Sequence, residues 1–278
     1  MDRSGLLNIA IVAAIDAGKA IMEVYLDDYE VSYKEDKSPL TIADKNAHEI
    51  IAEHLANTGI PLMSEEGKSI PFEIRKQWEK LWIVDPLDGT KEFIKKNGEF
   101  TVNIALIEKN KPVLGVVFCP TLNVIYYADK LLGGAFMAHL PARWNQEPAD
   151  FTIIHEAAQK LPIKTDRKTF VLVASRSHLT DETKTYIEKI KAQKSNVEFM
   201  SKGSSIKLCM VAEGKADIYP RFAPTCEWDT AAGQAVLELA NGRVVIPDSL
   251  TPVVYNKENI LNPWFLAVNN DAFKQLTL

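Results

Sequence analysis

The sequence predicts a layered α/β fold in which helix and sheet layers alternate, α+β in its N-terminal half and α/β in its C-terminal half. Three observations predict it. Short apolar runs such as Leu81 to Val84 end in acids, as buried strands do in α/β proteins. Four β-type runs follow one another between Phe100 and Met137. Beyond Phe170, strand-like and helix-like runs alternate. With 278 residues, 46% of them hydrophobic and 25% charged, the chain can bury a large core as one domain or two intimately packed ones. We expect an N-terminal α+β domain over 1–145 and a C-terminal α/β domain over 146–278. The same composition excludes disorder, collagen and disulfide scaffolds.

Taken in order, Leu6, Ile9, Ala10, Ala13, Ala17, Ile21 and Val24 recur at steps of three and four, predicting an amphipathic core helix through Tyr25. A signal peptide would need a positive start, and Asp2 cancels Arg3. Asp16 and Lys19 break the stretch below the roughly 18 uninterrupted apolar residues of a membrane span. The polar stretch Asp27 to Pro39 reads as a mobile hairpin or loop. Its Lys34 and Lys37 are either solvated or a lid reaching a phosphate. Ser38, Pro39 and Thr41 offer start signals for a helix through Leu55, which Gly59 ends. Pro61 to Met63 and Leu81 to Val84 read as short buried strands that deliver acids at their carboxyl ends.

Phe100–Glu108, Pro112–Cys119, Val124–Ala128 and Gly134–Met137 describe an antiparallel meander. Pro141 to Lys168 is weakly periodic and serves as a boundary. Strands over Phe170–Ala174, Val197–Met200, Ile218–Tyr219 and Val244–Ile246 then alternate with helices over Glu182–Lys191, Ser204–Glu213 and Asp229–Leu239.

Charge and cysteine content narrow the function. There are 32 basic and 37 acidic side chains, a net charge of −5 that disfavours nucleic-acid polymers. Cys119, Cys209 and Cys226 are odd in number and lack metal or redox spacing, so they read as buried thiols of a reducing, cytoplasmic compartment. His48, His54, His139 and His155 also lack metal spacing and read as surface or structural. The five tryptophans read as core or interface rather than a base-stacking platform.

The most informative segment runs from Trp82 to Phe93. A strand ends at Asp85, turns through Pro86, presents Asp88 three residues on, and enters Gly89 and Thr90 before a short helix. Two acids converging on such a turn can hold hard cations, and amides at the helix start can hold a phosphate. A covalent aspartyl-phosphate motif spaces its acids two apart. Here the spacing is three and proline interrupts the strand, which argues against it. Two acids merely capping a turn is the bland alternative. However, Glu65 and Glu66 also follow a strand, and Asp229 opens a helix of small residues. Glu65, Asp85, Asp88 and Asp229 together carry −4 and would repel one another without cations; two Mg²⁺ would balance them.

E-E, then D-P-L-D-G-T, then W-D-T-A-A-G, in this order and separation, resembles the signature of the inositol monophosphatase-like, Mg²⁺-dependent, lithium-sensitive phosphatases. The resemblance covers essentially the whole chain and implies an αβαβα sandwich of the sugar-phosphatase type. Within that superfamily, Lys91, Glu92 and Phe93 after D-G-T, the run Gly203 to Cys209 and the run Asp217 to Arg221 look most like 3′(2′),5′-bisphosphate nucleotidases of the CysQ type. The resemblance implies metal ligation of two or three Mg²⁺ by Glu65, Asp85, Asp88, Asp229 and the Leu87 carbonyl. It implies catalytic roles for Asp44, Thr90 and Glu65, with Thr90 and Asp44 orienting the attacking water. Gly89 and Thr90 would hold phosphate, Ser204, Lys207 and Arg221 would approach the nucleotide, and Ser175 and His178 would close over the base or ribose.

The implied reaction removes the 3′-phosphate of adenosine 3′,5′-bisphosphate, with extension to the sulfated analogue and sulfur assimilation. The alternatives are an inositol or sugar monophosphatase, and a non-catalytic metal or phosphate sensor, which need not keep Thr90 and Asp44. The resemblance also leaves open a homodimer and a peripheral association with the inner membrane face, which no basic or lipidation motif fixes.

Overall fold

The computed structural model describes residues 3–26, 31–33, 39–176 and 179–276. It opens with α1 (Arg3–Leu26), which buries Leu6, Ala10, Ala13, Ala17 and Ile21. By length and composition this helix could cross a membrane. Its apolar face instead shares a core with Val102, Ile104 and Phe118, and among the described residues no other helix is long and apolar enough to cross a membrane, so a peripheral membrane association is not supported. Short strands β1 (Val31–Tyr33) and β2 (Pro39–Thr41) pair antiparallel across the expected hairpin. Lys34 and Lys37, the suggested lid, lie outside the described residues. Next, α2 (Ile42–Ala56) lies along α1.

Then come β3 (Leu62–Ser64), α3 (Phe72–Arg75), β4 (Lys80–Asp88) and α4 (Thr90–Ile94). The expected meander follows as β5 (Thr101–Glu108), β6 (Lys111–Cys119), β7 (Val124–Asp129) and β8 (Gly134–His139), each antiparallel to the last. The stretch expected to be an irregular boundary contains α5 (Phe151–Glu156) and β9 (Gln159–Lys160); β9 adds to β8 as the edge of a seven-stranded sheet. Alternation sorts the faces. Trp82, Val84, Ile104 and Leu106 pack with α1 and α2, while Leu81, Ile83, Ala105 and Ile107 face the opposite core.

The remaining elements are β10 (Phe170–Ser175), α6 (Asp181–Gln193), β11 (Val197–Lys202), α7 (Ile206–Glu213), β12 (Ile218–Arg221), α8 (Glu227–Leu239), β13 (Arg243–Val245), β14 (Phe265–Val268) and α9 (Asn270–Leu276). They build a five-stranded sheet in the order β11-β10-β12-β14-β13. The sequence pattern missed β14, which runs antiparallel between β12 and β13. Its four residues are all buried, so it shows no alternation, and four apolar residues after Pro263 and Trp264 carry little strand signal.

The layers alternate as expected. α1 and α2 cover one face of the first sheet, α7 and α8 fill the space between the sheets, and α6 and α9 cover the outer face of the second. The middle layer joins residues from either side of position 145: Ile83 and Val117 share a core with Leu208, Val236 and Phe265. A row of small residues, Ala105, Gly115, Ala128 and Ala135, crosses four adjacent strands in register. It makes a trough for Ala231, Ala232 and Ala235 of α8. A Cβ on Gly115 would stand 2.5 Å from the Ala232 carbonyl oxygen and 2.7 Å from the Ala235 Cβ. This close seat sets the position of the α8 N-terminus.

Candidate active site

The parallel pair β3 and β4 matches Ser64 with Val84, and the Glu65 amide donates to the Val84 carbonyl at 3.2 Å. Adjacent parallel strands thus deliver Glu65 and Asp85 side by side at their carboxyl ends, the usual site position in α/β sheets. Pro86 does not end β4, contrary to the sequence expectation. Asp85 pairs with Asn103 and Asp88 with Thr101, so three steps on β4 match two on β5. This one-residue shift is a bulge. Acids three apart in a regular strand would point to opposite faces; the extra residue returns both to the same face.

Gly89 follows at φ 97° and caps α4, a backbone conformation that side-chain-bearing residues rarely adopt. It turns the chain so that the Thr90 hydroxyl donates back to the Leu87 carbonyl at 3.3 Å. The Leu87 amide donates to Asp85 Oδ1 at 3.1 Å. Across the cleft, α8 begins two residues earlier than expected. Its cap is Cys226, whose amide donates to Asp229 Oδ2 at 2.7 Å. Asp229 therefore belongs to a capping box and also faces the acids.

Carboxylate oxygens of Glu65, Asp85 and Asp229 lie within 4.8 Å of one another. Burial pushes Asp85 well above the ordinary carboxylate range, and Glu65, Asp88, Asp229 and Asp44 push the same way. Asp229 is raised to about 8, by burial and then by Asp88 and Glu65. Asp88 is also raised by burial, but Lys207 and the Ser205 amide, 2.5 Å from its Oδ2, offset part of this. Such a crowded, all-oxygen set is one that a hard divalent cation fits. Asp44 is buried in the first turn of α2, close enough for its charge to act on Asp85.

Glu65, Asp85, Leu87, Asp88, Gly89, Thr90, Ser175, Ser204, Lys207, Arg221 and Asp229 line one cleft of about 430 Å³. The structure therefore brings together these sequence-predicted residues; Asp44 does not line the cleft but is near enough for its charge to act on Asp85, and His178 lies outside the described residues. Lys207, on α7, donates to the Ser204 carbonyl and lies over the Tyr219 ring at 5.2 Å. Burial lowers its pKa to about 8, against the opposing pull of Asp88. Arg221, at the end of β12, donates to the Pro224 carbonyl at 3.0 Å.

Sequence reasoning missed several contributors. Ser205 bonds Asp88 through its amide, and its hydroxyl makes buried contacts with Asn103 Oδ1 at 2.7 Å and Thr101 Oγ1 at 2.8 Å. Tyr219 precedes Arg221 by two on one strand, a period-two signal that could have found it. Glu99, in an ordinary-looking turn before β5, left no such signal.

Comparison with known proteins agrees with this geometry. The inositol monophosphatase family matches residues 2–272. The 3′(2′),5′-bisphosphate nucleotidase CysQ of Salmonella typhimurium is 44% identical over 91% of this chain and 95% of its own. That of Escherichia coli K12 is 42% identical over the same shares. The crystal structure of CysQ from Bacteroides thetaiotaomicron superposes with a TM-score of 0.85 at 48% identity, over 94% of this chain and 96% of that one. Matched over almost its full length, with its carboxylates gathered at one cleft, the chain belongs to the inositol monophosphatase family.

Proposed function

We propose that the protein is a Mg²⁺-dependent phosphomonoesterase that removes the 3′-phosphate of adenosine 3′,5′-bisphosphate, giving AMP and phosphate. It would also accept the sulfated analogue and so serve sulfur assimilation, in the reducing cytoplasm that suits its three free thiols. One observation carries the chemistry: Glu65, Asp85 and Asp229 converge in a cleft shared with Asp88, Lys207 and Arg221. The substrate class is supported by relatives at 42–48% identity whose names carry CysQ, the Salmonella and Escherichia proteins being named bisphosphate nucleotidases.

In this reading Glu65, Asp85, Asp88, Asp229 and the Leu87 carbonyl hold two or three Mg²⁺. When bound, the ions lower the pKa of a water and neutralise charge on the phosphoryl group. The chain's own groups do the rest. Thr90 and Asp44 orient the attacking water, and Glu65 serves both the ligand set and the water. The water oxygen attacks phosphorus in line, the bond from phosphorus to the 3′-oxygen breaks, and that oxygen leaves with a proton. Gly89 and Thr90 hold the phosphate, and no aspartyl phosphate forms. Lys207 and Arg221 supply positive charge for the rest of the bisphosphate. Ser204, Ser175 and His178 take the nucleoside side.

The test compares phosphate release, with Mg²⁺, from adenosine 3′,5′-bisphosphate, inositol 1-phosphate and fructose 1,6-bisphosphate. The bisphosphate nucleotide is expected to be strongly preferred. Equal rates on all three would sink the nucleotidase reading while leaving the phosphatase one.

A further inference from the structure

The turn that brings Ser204 and Lys207 to the cleft is fastened by a residue that does not line it. Glu99 lies two residues before β5, with its side chain only 11% exposed. Its Oε2 accepts the Gly203 amide at 2.8 Å. Its Oε1 takes Arg176 Nη2 at 2.8 Å and Lys202 Nζ at 3.2 Å. Arg176 also donates its amide to the Lys202 carbonyl and its guanidinium to the Ser201 carbonyl. One carboxylate therefore gathers the carboxyl ends of β10 and β11 and the turn from β11 into α7.

The turn has little freedom to sit elsewhere. A Cβ on Gly203 would be 2.8 Å from Glu92 Cγ and 2.9 Å from the Glu99 carbonyl oxygen, so only glycine lets the turn approach this closely. The next residue, Ser204, is held at φ 45°, a left-handed conformation that costs a non-glycine residue energy. Ser205 then places its amide on Asp88. The strained turn thus links the second sheet to the acid cluster of the first.

We propose that Glu99 is a positioning residue: it holds the 202–205 turn so that Ser204 and Lys207 face the substrate and the Ser205 amide reaches Asp88. The assignment of these groups to the nucleotide side rests on the bisphosphate nucleotidase reading above. Without the carboxylate, Arg176 and Lys202 lose their common counter-charge and the Gly203 amide loses its acceptor, so the strained turn relaxes. Substrate binding must then reorder it. The acids themselves are carried by β3, β4 and α8, none of which includes the turn, so the cost falls on KM more than on kcat.

The experiment measures hydrogen exchange of the 203–206 amides together with KM and kcat for adenosine 3′,5′-bisphosphate, in wild type, Glu99→Ala and Glu99→Gln. Glu99→Ala is expected to speed exchange at 203–206, leave the β5 amides protected, and raise KM about tenfold, the scale of reordering a single residue's backbone, with kcat within about threefold. Glu99→Gln keeps an acceptor for the Gly203 amide without its ion pairs, so it should restore most of the protection and part of the KM. It also serves if Glu99→Ala does not fold. Unchanged exchange at 203–206 in Glu99→Ala, or a kcat loss at constant KM, overturns the proposal. A wild-type enzyme inactive on the bisphosphate would count against the nucleotidase reading instead, and the exchange data would still decide the role of Glu99.

Discussion

Asp88 concentrates the chemistry of the cleft in one side chain. Burial raises its pKa, while Lys207 and the Ser205 amide lower it, so it is the member of the acid cluster most tied to the opposite wall. Replacing it with Asn keeps an oxygen for the Ser205 amide but removes the charge. Asp88→Asn should therefore fold, with a circular dichroism spectrum like wild type, and lose on the order of 10²–10³-fold or more in turnover. An active variant would show the metal assignment to be wrong. Lys207 gives a second prediction. Its pKa, lowered by burial to about 8, leaves it charged below that pH and neutral above it. KM for the bisphosphate should rise as pH passes 8. Lys207→Met should raise KM already at pH 7 and flatten that dependence, which steady-state kinetics across pH 6.5 to 9.5 would reveal.

Between residue and molecule, the position of each acid is set by an element. The bulge in β4 puts Asp85 and Asp88 on one face, and the seat of α8 on the first sheet sets Asp229 opposite them. Gly115→Val would force a side chain against the backbone of Ala232, which cannot move like a flexible side chain. We expect a loss of about 1–3 kcal/mol in urea unfolding, accompanied by reduced turnover because Asp229 shifts with its helix. Stability lost with turnover intact would mean that α8 tolerates displacement.

The elements also explain what the sequence could reveal. The acids were legible because each ends or begins a patterned element, and three separated motifs in order specify a family better than any one. The bulge was not, since Pro86 reads as a strand terminator unless the partner register is known. Strand β14 was hidden because it is buried on both faces and only four residues long. Glu99 was hidden because its partners, Arg176, Lys202 and Gly203, lie 77 to 104 residues away in the chain.

At the scale of the whole molecule, a net charge of −5 divides unevenly. Four acids, Glu65, Asp85, Asp88 and Asp229, belong to one cleft, and setting them aside leaves the remainder at −5 + 4 = −1. Metal-free, this cluster couples stability to pH. Asp85, Asp88 and Asp229 have raised pKa values in the folded chain, so between about pH 4, where an unfolded Asp titrates, and about 8 the native state binds more protons than the unfolded one. Stability must then fall as pH rises through that window. Melting temperature in chelator should drop from pH 5 to pH 8, and Mg²⁺ should raise it more at pH 8 than at pH 5. A rise no larger at pH 8 would detach the cluster from metal binding.

The central claim is a metal-dependent attack on one particular phosphate of a bisphosphate nucleotide. Phosphorus NMR of adenosine 3′,5′-bisphosphate incubated with the protein follows both phosphates at once. With Mg²⁺, the 3′ resonance should disappear as inorganic phosphate and 5′-AMP grow in equal amounts, and chelator should stop the reaction. Accumulation of 3′-AMP, or an unchanged rate in chelator, would contradict the account.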